Sequence, residues 1–128
     1  MKFCRLGVLL SLFVVAACKT ATIYNVERMS LGAQTTATTG AVADVIRQAG
    51  ERQGWAIKDV RPGEMRGMLN RKKHTAVVAI YYDTTSFSIH YVDSTNLSSD
   101  GKEIHKAYNL WIKRLEEAIQ REAAFRLR

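Results

Sequence analysis

Ser88 and three histidines are the side chains that could give this chain catalytic chemistry. Ser88 and His90 are two positions apart, which on a β-strand places both on one face, roughly 6–7 Å from each other. That distance is longer than a hydrogen bond, and no Gly-x-Ser-x-Gly motif or orienting acid accompanies the pair. His74, His90 and His105 lack the spacing of metal ligands. We therefore predict a non-enzymatic protein with no catalytic residue, no metal site and no cofactor.

A second candidate cluster lies in the sequence IHKAYNLW, which contains His105, Tyr108, Asn109 and Trp111. On a helix, spacings of three and four residues bring the first three of these side chains close together. The histidine or the asparagine could then bond the preceding segment, DSTNL. We predict a structural role for this cluster, with ligand binding as the alternative.

The remaining chemistry concerns Cys18. Lys2 and Arg5 precede an apolar run over residues 6–17, the length of a signal-peptide core and shorter than the about 20 apolar residues that span a bilayer. The four residues VAAC that end at Cys18 resemble the lipobox of bacterial lipoproteins. In that family the thiol receives diacylglycerol, the peptide is cut before the cysteine, and the new amine is usually acylated. The resemblance implies that residues 1–17 are a signal peptide and that Cys18 carries the lipid, with acyl chains such as palmitate.

Several acyl chains hold a protein stably on a membrane, whereas one chain does so only marginally. Lys19 stands where an aspartate would favour inner-membrane retention under the enterobacterial sorting pattern. We therefore expect the outer membrane, on the side facing the periplasm, with the inner membrane as the alternative. An ordinary signal peptide with a chance cysteine, or an uncleaved anchor, is the competing interpretation.

Cleavage leaves 111 of the 128 residues and lowers the formal charge from +7 to +5. The remaining chain is long enough for one small domain, which must be stabilised by packing because Cys4 is lost and Cys18 is modified. Its modest basic excess suits anionic headgroups or lipopolysaccharide, and an exported chain is not expected to meet nucleic acid.

The chain after the cysteine divides into two parts. Residues 18–39 are rich in Thr and Ala without a sustained period, which predicts a lipidated N-terminus and tether, although Ile23, Tyr24 and Val26 are apolar enough to lie along the domain as an extended piece. Residues 40–128 form the globular domain. It begins with a helix over residues 41–53, capped by Thr38 or Thr39 and stopped by Gly54.

From residue 55 to residue 93 the apolar period is two, which predicts four strands over residues 55–61, 64–71, 74–83 and 86–93. A two-residue turn at Thr84 and Thr85 puts six large side chains on one face, whereas a three-residue loop buries less apolar area. The pairs of the first register are Tyr82 with Phe87, Ile80 with Ile89, and Val78 with Tyr91. The register of the first hairpin stays open, with a bulge at Gly63 as one solution.

A second helix is predicted over residues 102–124, capped by Ser98, Ser99 or Asp100. Its apolar stripe comprises Ile104, Tyr108, Trp111, Leu115, Ala118, Ile119 and Ala123. The fold class is therefore α+β, in the order α-β-β-β-β-α, with a four-stranded antiparallel meander and both helices packed on one of its faces.

Taken together, GWAI, HTAVVAIYYDTTSFSIHYVDSTNL and IHKAYNLWIKRLEEAI resemble a family of small proteobacterial lipoproteins. The shared pattern is a Gly-Trp after a helix, a His-Thr-Ala that opens a strand, and a helix with His-x-x-Tyr-Asn-x-Trp. The resemblance covers most of residues 40–120. It implies fold and location only, because the family brings no established activity.

Two surfaces are candidates for binding. The sheet face away from the helices would expose Val77, Ala79, Tyr81 and His90, flanked by Met68 and Val92, as a partner or self-association surface, or as an ordinary solvated face. The run Arg71, Lys72 and Lys73 at a hairpin tip either contacts an anionic surface or is a solvated turn that protects the sheet edge.

These observations predict a non-enzymatic envelope lipoprotein that binds a protein or an envelope component as an accessory or structural module. The alternative is a module that binds a small ligand or lipid in a pocket near Tyr91, Tyr108 and Trp111. An enzyme would need a cleft that joins Ser88, His90 and an acid.

Overall fold

A computed structural model of the chain describes residues 19–32 and 36–128. The predicted signal peptide and the predicted lipid attachment at Cys18 lie outside these residues. The elements, in chain order, are β1 (Thr20–Thr22), β2 (Val26–Ser30), α1 (Thr39–Arg52), β3 (Trp55–Arg61), β4 (Glu64–Arg71), β5 (His74–Tyr82), β6 (Ser86–Thr95), β7 (Glu103–His105) and α2 (Lys106–Arg126).

The sheet is larger than the predicted meander. Strands β3 to β6 form the expected antiparallel meander, but β2 adds a fifth strand at the edge of β6, giving the order β2-β6-β5-β4-β3. Strands β1 and β7 form a separate antiparallel pair. The α+β class is confirmed, and the four-stranded sheet is corrected to five strands plus a two-stranded ribbon.

The predicted register of the β5–β6 hairpin is confirmed. Tyr82 pairs with Phe87, and the pairing continues in register to Val78 and Tyr91. The turn lacks the Asn-Gly pair that favours such turns, and the side chain of Asp83 stabilises it instead. Its Oδ1 accepts hydrogen bonds from the backbone N–H groups of Thr85 at 2.8 Å and Ser86 at 2.7 Å. These bonds stabilise the carboxylate and lower the pKa of Asp83.

A bulge sets the register of the first hairpin. Arg61 pairs with Glu64 across a two-residue turn, and the pairing shifts by one residue between Asp59 and Arg61, so the bulge lies at Val60 rather than at Gly63. The shift places Trp55 and Ile57 on the same sheet face as Leu69 and Met65, and therefore in the core.

Gly67 permits the close packing of this part of the sheet. A Cβ atom on Gly67 would lie 3.1 Å from Val78 Cγ2 and 3.3 Å from Trp55 Cε3. Since both neighbours are buried core side chains, the missing side chain is what lets the indole lie across β4.

The two helices begin at different kinds of cap. Thr38 caps α1, because its Oγ1 accepts a hydrogen bond from the backbone N–H of Ala41 at 3.1 Å. The predicted caps of α2 are wrong, since β7 intervenes and the helix starts after His105, whose Nδ1 accepts from the N–H of Ala107. Asp100 instead forms a turn with the N–H groups of residues 102 and 103.

Both helices pack on one face of the sheet and share a single core with it. α1 buries Val42, Val45, Ile46 and Ala49, as its period predicts. On α2 the buried stripe includes Ile112, and Trp111 is only half-buried at its border. The molecule therefore has two layers, with helices on one side of the sheet and an uncovered face on the other.

Candidate functional site

The segment that follows Cys18 is attached to the domain. Residues 19–25, here called the anchor-proximal segment because they follow the predicted lipid attachment at Cys18, contain β1, in which Thr20 pairs with His105. The carbonyl of Lys19 accepts from the N–H of Lys106 at 3.0 Å, and the N–H of Ile23 donates to the carbonyl of Lys102 at 2.9 Å. Further along, β2 places Val26 in the core. Residues 19–32 therefore do not form a tether, and Ile23, Tyr24 and Val26 lie along the domain in an extended piece, as the alternative predicted.

Asn109 makes two of the four side-chain hydrogen bonds that attach this segment to the rest of the described chain; the Tyr24 hydroxyl makes another, and Oδ1 of Asn25 accepts from the N–H of Tyr91 at 3.0 Å. Oδ1 of Asn109 accepts from the N–H of Tyr24 at 2.9 Å, and its Nδ2 donates to the carbonyl of Thr22 at 2.8 Å. The carboxamide thus bonds the segment as a neighbouring strand would, with one acceptor and one donor. The sequence predicted a side-chain bond from His105 or Asn109 to the segment DSTNL. The contact with that segment is instead made by the backbone, since the N–H of His105 donates to the carbonyl of Leu97 at 2.8 Å.

A buried acid fixes the side chain of Tyr24. The Tyr24 hydroxyl donates to Oε2 of Glu116 at 2.8 Å, and Lys113 Nζ lies 5.4 Å from the centre of the ring. Glu116 is only 8% exposed. The hydrogen bond to this carboxylate, followed by burial, raises the pKa of Tyr24.

The other members of the helical cluster are structural. His105 is the cap of α2, and the ring of Tyr108 is fully buried, 5.6 Å from the ring of Tyr91 in an edge-to-face contact. Burial raises the pKa of Tyr108, whose hydroxyl has no hydrogen-bond partner among the described residues. The space near Tyr91 and Tyr108, where a ligand pocket was the alternative, is filled by these packed rings.

The uncovered side of the sheet, here called the open face, brings the predicted partner-binding residues together. Cross-strand pairing aligns Met68 with Val77, and Ala79 with His90. Tyr81 is 41% exposed and Met68 is 47% exposed, so both are accessible. The predicted exposure of Ala79 is wrong, because Ala79 is 2% exposed and lies covered between its larger neighbours in the row.

The open face also carries charge. Nε2 of His90 lies 2.7 Å from Oε1 of Glu27, which is an ion pair when the ring is protonated, and the His90 ring contacts the Tyr81 ring edge-to-face at 5.5 Å. Arg66 lies 3.8 Å from Glu64. Lys58 is exposed beside Arg66 on the adjoining strand. The two cations Lys58 and Arg66 are balanced by the two acids Glu27 and Glu64, so the open face combines apolar side chains with charges of both signs.

Ser88 and His90 are engaged separately. The Ser88 hydroxyl accepts from the backbone N–H of Arg28 at 3.0 Å, while His90 faces Glu27. His74 Nδ1 is 2.8 Å from the carbonyl oxygen of Asn96. Within residues 19–32 and 36–128, no group of three or more His, Cys, Asp or Glu side chains is arranged to hold a metal ion.

A surface groove of about 490 Å³ lies between the first half of α1 and the end of β3. Ala43, Val60 and Tyr82 contribute to its walls, and Arg47 is its central cation. Nη1 and Nη2 of Arg47 are already bonded to carboxylates, at 3.1 Å to Asp44 and 2.9 Å to Asp59. Arg61 also lines the groove, so its two cations balance its two acids and the groove offers little net charge to a ligand.

The basic turn between β4 and β5 is separate from the open face. Nη2 of Arg71 donates to the carbonyl of Gln53 at 3.2 Å, and Lys72 has a φ of 55°, which is in the left-handed region. Nδ2 of Asn96 donates to the carbonyl of Lys73 at 2.8 Å. The side chains of all three basic residues are exposed.

Two buried acids on α2 are absent from the sequence-based candidates. Glu116 holds Tyr24, and Glu122 accepts from Arg52 Nη1 at 2.8 Å while also pairing with Arg126. The only local sign of the second is the spacing of four residues between Glu122 and Arg126, which is common on exposed helices. Their long-range partners could not be inferred from spacing.

No helix among the described residues is long and apolar enough to cross a bilayer. Comparison of the chain with protein-family models, with curated proteins and with solved structures found no match.

Proposed function

We propose that the protein is a bacterial envelope lipoprotein, anchored through Cys18, whose domain acts as a non-enzymatic accessory or structural module. In this proposal the open face binds a protein or another envelope component. The anchor would hold the domain at the periplasmic side of the outer membrane, with the inner membrane as the alternative.

The observation that carries the binding role is the open face itself. Both helices cover the opposite side of the sheet, and the open face presents accessible apolar side chains, among which Val92 is 44% exposed. Exposed aromatic, methionine and arginine side chains are enriched in interface patches. Tyr81 is the most exposed aromatic side chain of this patch and lies next to the Ala79 and His90 row, toward the β5–β6 turn.

The engaged polar groups support a role without catalysis. Ser88, His74 and His105 are each engaged with backbone groups, which supports a role without catalysis. The filled core around Tyr108 supports surface binding over a ligand pocket.

Site-specific photocrosslinking in intact cells tests the binding role. A photoreactive phenylalanine analogue at Tyr81 should give a discrete crosslinked product, because that ring would be covered by the partner. The matched control is the same analogue at Phe125, which is 72% exposed on the helical side of the domain. It should give no discrete product.

The binding role is contradicted if Tyr81 gives no product while the purified lipoprotein remains monomeric at high concentration. Identical products from Tyr81 and Phe125 would also contradict it, because they would show random collision instead of a defined surface.

A further inference from the structure

Hydrogen bonds connect three separate segments of the chain at one end of the sheet. The carbonyl of Lys19 accepts from the N–H of Lys106, and the N–H of the adjacent His105 donates to the carbonyl of Leu97. Asn96, beside Leu97, donates from Nδ2 to the carbonyl of Lys73. The beginning of the described chain, the start of α2 and the β4–β5 turn are therefore neighbours.

This end of the molecule, here called the basic end, carries six exposed cations: Lys19, Arg71, Lys72, Lys73, Lys102 and Lys106. Three acids, Asp93, Asp100 and Glu103, belong to the same end. Asp100 already accepts from the N–H groups of residues 102 and 103. Within the described residues none of the six cations forms an ion pair, whereas Arg47, Arg52, Arg61, Arg66 and Arg126 elsewhere do.

The proposed lipid would attach directly at this end. Cys18 precedes Lys19, and consecutive Cα atoms are about 3.8 Å apart. Because the anchor-proximal segment is bonded to α2 through Asn109 and to residue 102 through Ile23, no free tether separates the anchor from the fold. Acyl chains on Cys18 would therefore bring the basic end against the headgroups.

The β4–β5 turn has a lysine where the backbone favours glycine or asparagine. Lys72 has a φ of 55°, a conformation that lysine adopts at an energetic cost. The turn therefore carries a charge at a position where glycine or asparagine would be more stable. Strain of this kind is often found at functional positions.

We propose that the basic end is a docking surface for anionic lipid headgroups, which sets the orientation of the domain on the membrane. The lysine ammonium groups would bind headgroup phosphates within a Debye length of the surface. Since the basic end lies where the strands end, the open face stands at the side of the domain and remains free for its partner. This inference rests on the proposed acylation of Cys18.

Lysine footprinting of the acylated protein, isolated from native membranes, tests the orientation. The protein is reconstituted into vesicles of phosphatidylcholine alone or of phosphatidylcholine with phosphatidylglycerol, and acetylation of each lysine is followed by mass spectrometry. In the anionic vesicles the five lysines of the basic end should react about fivefold more slowly, and high salt should remove this protection. Lys58, on the open face, is the internal control and should react equally in both vesicles.

A variant with Lys72→Asn, Lys73→Gln and Lys106→Gln extends the test, with Lys58→Gln as its matched control. The triple variant should lose the protection of Lys19 and Lys102, whereas the control should retain it. Equal reaction of all lysines in both vesicles would overturn the proposal, as would protection of Lys58 in place of the basic end.

The failure of this inference can be distinguished from failure of the proposed anchor. Should intact mass show that Cys18 carries no lipid, the proposed function fails. The full chain with Cys18→Ser, with and without the triple substitution, is mixed with the same vesicles at low salt and still tests the basic end, because both chains keep residues 1–17. Weaker sedimentation of the triple variant with the anionic vesicles supports docking, and equal sedimentation of the two chains overturns it.

Discussion

Asn109→Ala should make local opening of the anchor-proximal segment easier without unfolding the domain. The substitution removes the acceptor for the N–H of Tyr24 and the donor to the carbonyl of Thr22. Each hydrogen bond contributes about 0.5–1.5 kcal/mol net, so the free energy of local opening should fall by about 2 kcal/mol. The segment contributes few side chains to the core, so the loss should be local.

Native-state hydrogen exchange measures this effect directly. A loss of about 2 kcal/mol corresponds to roughly 30-fold faster exchange of the Tyr24 amide. Amides of β5, in the centre of the sheet, should keep the exchange rate of the wild-type protein. The matched control is Gln120→Ala, which truncates an amide on the same helix that makes no hydrogen bond among the described residues.

Two results would refute this reasoning. Unchanged exchange at Tyr24 would show that Asn109 does not hold the segment. An equal acceleration at Tyr24 and throughout β5 would show that the segment and the domain open as one unit.

Three further predictions concern stability. Asp83→Ala should lower the free energy of unfolding in urea by about 1–2 kcal/mol by removing the acceptor for two turn amides. Because the pKa of Asp83 is lowered in the folded protein, this difference should be present above the ordinary value of 3.8 and shrink as pH falls through the folded value; a constant difference would contradict it. Lys72→Gly should raise the melting temperature by relieving about 1 kcal/mol of backbone strain, whereas Lys73→Gly, where φ is not positive, should not; equal effects would contradict the strain argument. Tyr108→Phe should leave stability unchanged or raise it by up to about 1 kcal/mol, because the buried hydroxyl lacks a partner, and a clear loss would reveal one. Burial raises the pKa of Tyr108, so its protonated form stabilises the folded state fully below pH 10.0, and this stabilisation is lost as pH rises further. The free energy of unfolding should therefore fall less steeply with alkaline pH in the variant than in the wild type.

The central meander could be predicted because its signals are local. Alternating side chains and short turns specify β3 to β6, and the six large side chains of the β5–β6 hairpin favour one register over its neighbour. For the first hairpin the sequence could suggest that a bulge exists, but not that the bulge lies at Val60. Its position depends on burying Trp55 against α1 and β4, which is a tertiary effect.

The missed strands are short, irregular or paired over long distances. β1 and β7 have three residues each and pair across about 80 residues of sequence, so neither has a period of its own. In β2, a register shift and the positive φ of Arg28 interrupt the alternation that would identify a strand. Pairing with β7 and β6 stabilises these segments.

The candidate surfaces could be predicted only as far as local sequence spacing specifies them. Strand alternation correctly placed Tyr81 and His90 on the open face, but it could not show that larger neighbours cover Ala79. The spacing of His105 and Asn109 indicated a structural cluster, whereas the partners of Asn109 lie 85 and 87 residues away in the sequence. Proximity along a helix did not identify them.

The intact mass of the native protein, extracted from membranes without proteolysis, directly reports whether Cys18 is acylated. We predict a chain that begins at Cys18 and carries the added mass of diacylglycerol and an amide-linked acyl chain. A chain that retains residues 1–17, or one with an unmodified Cys18, would contradict it.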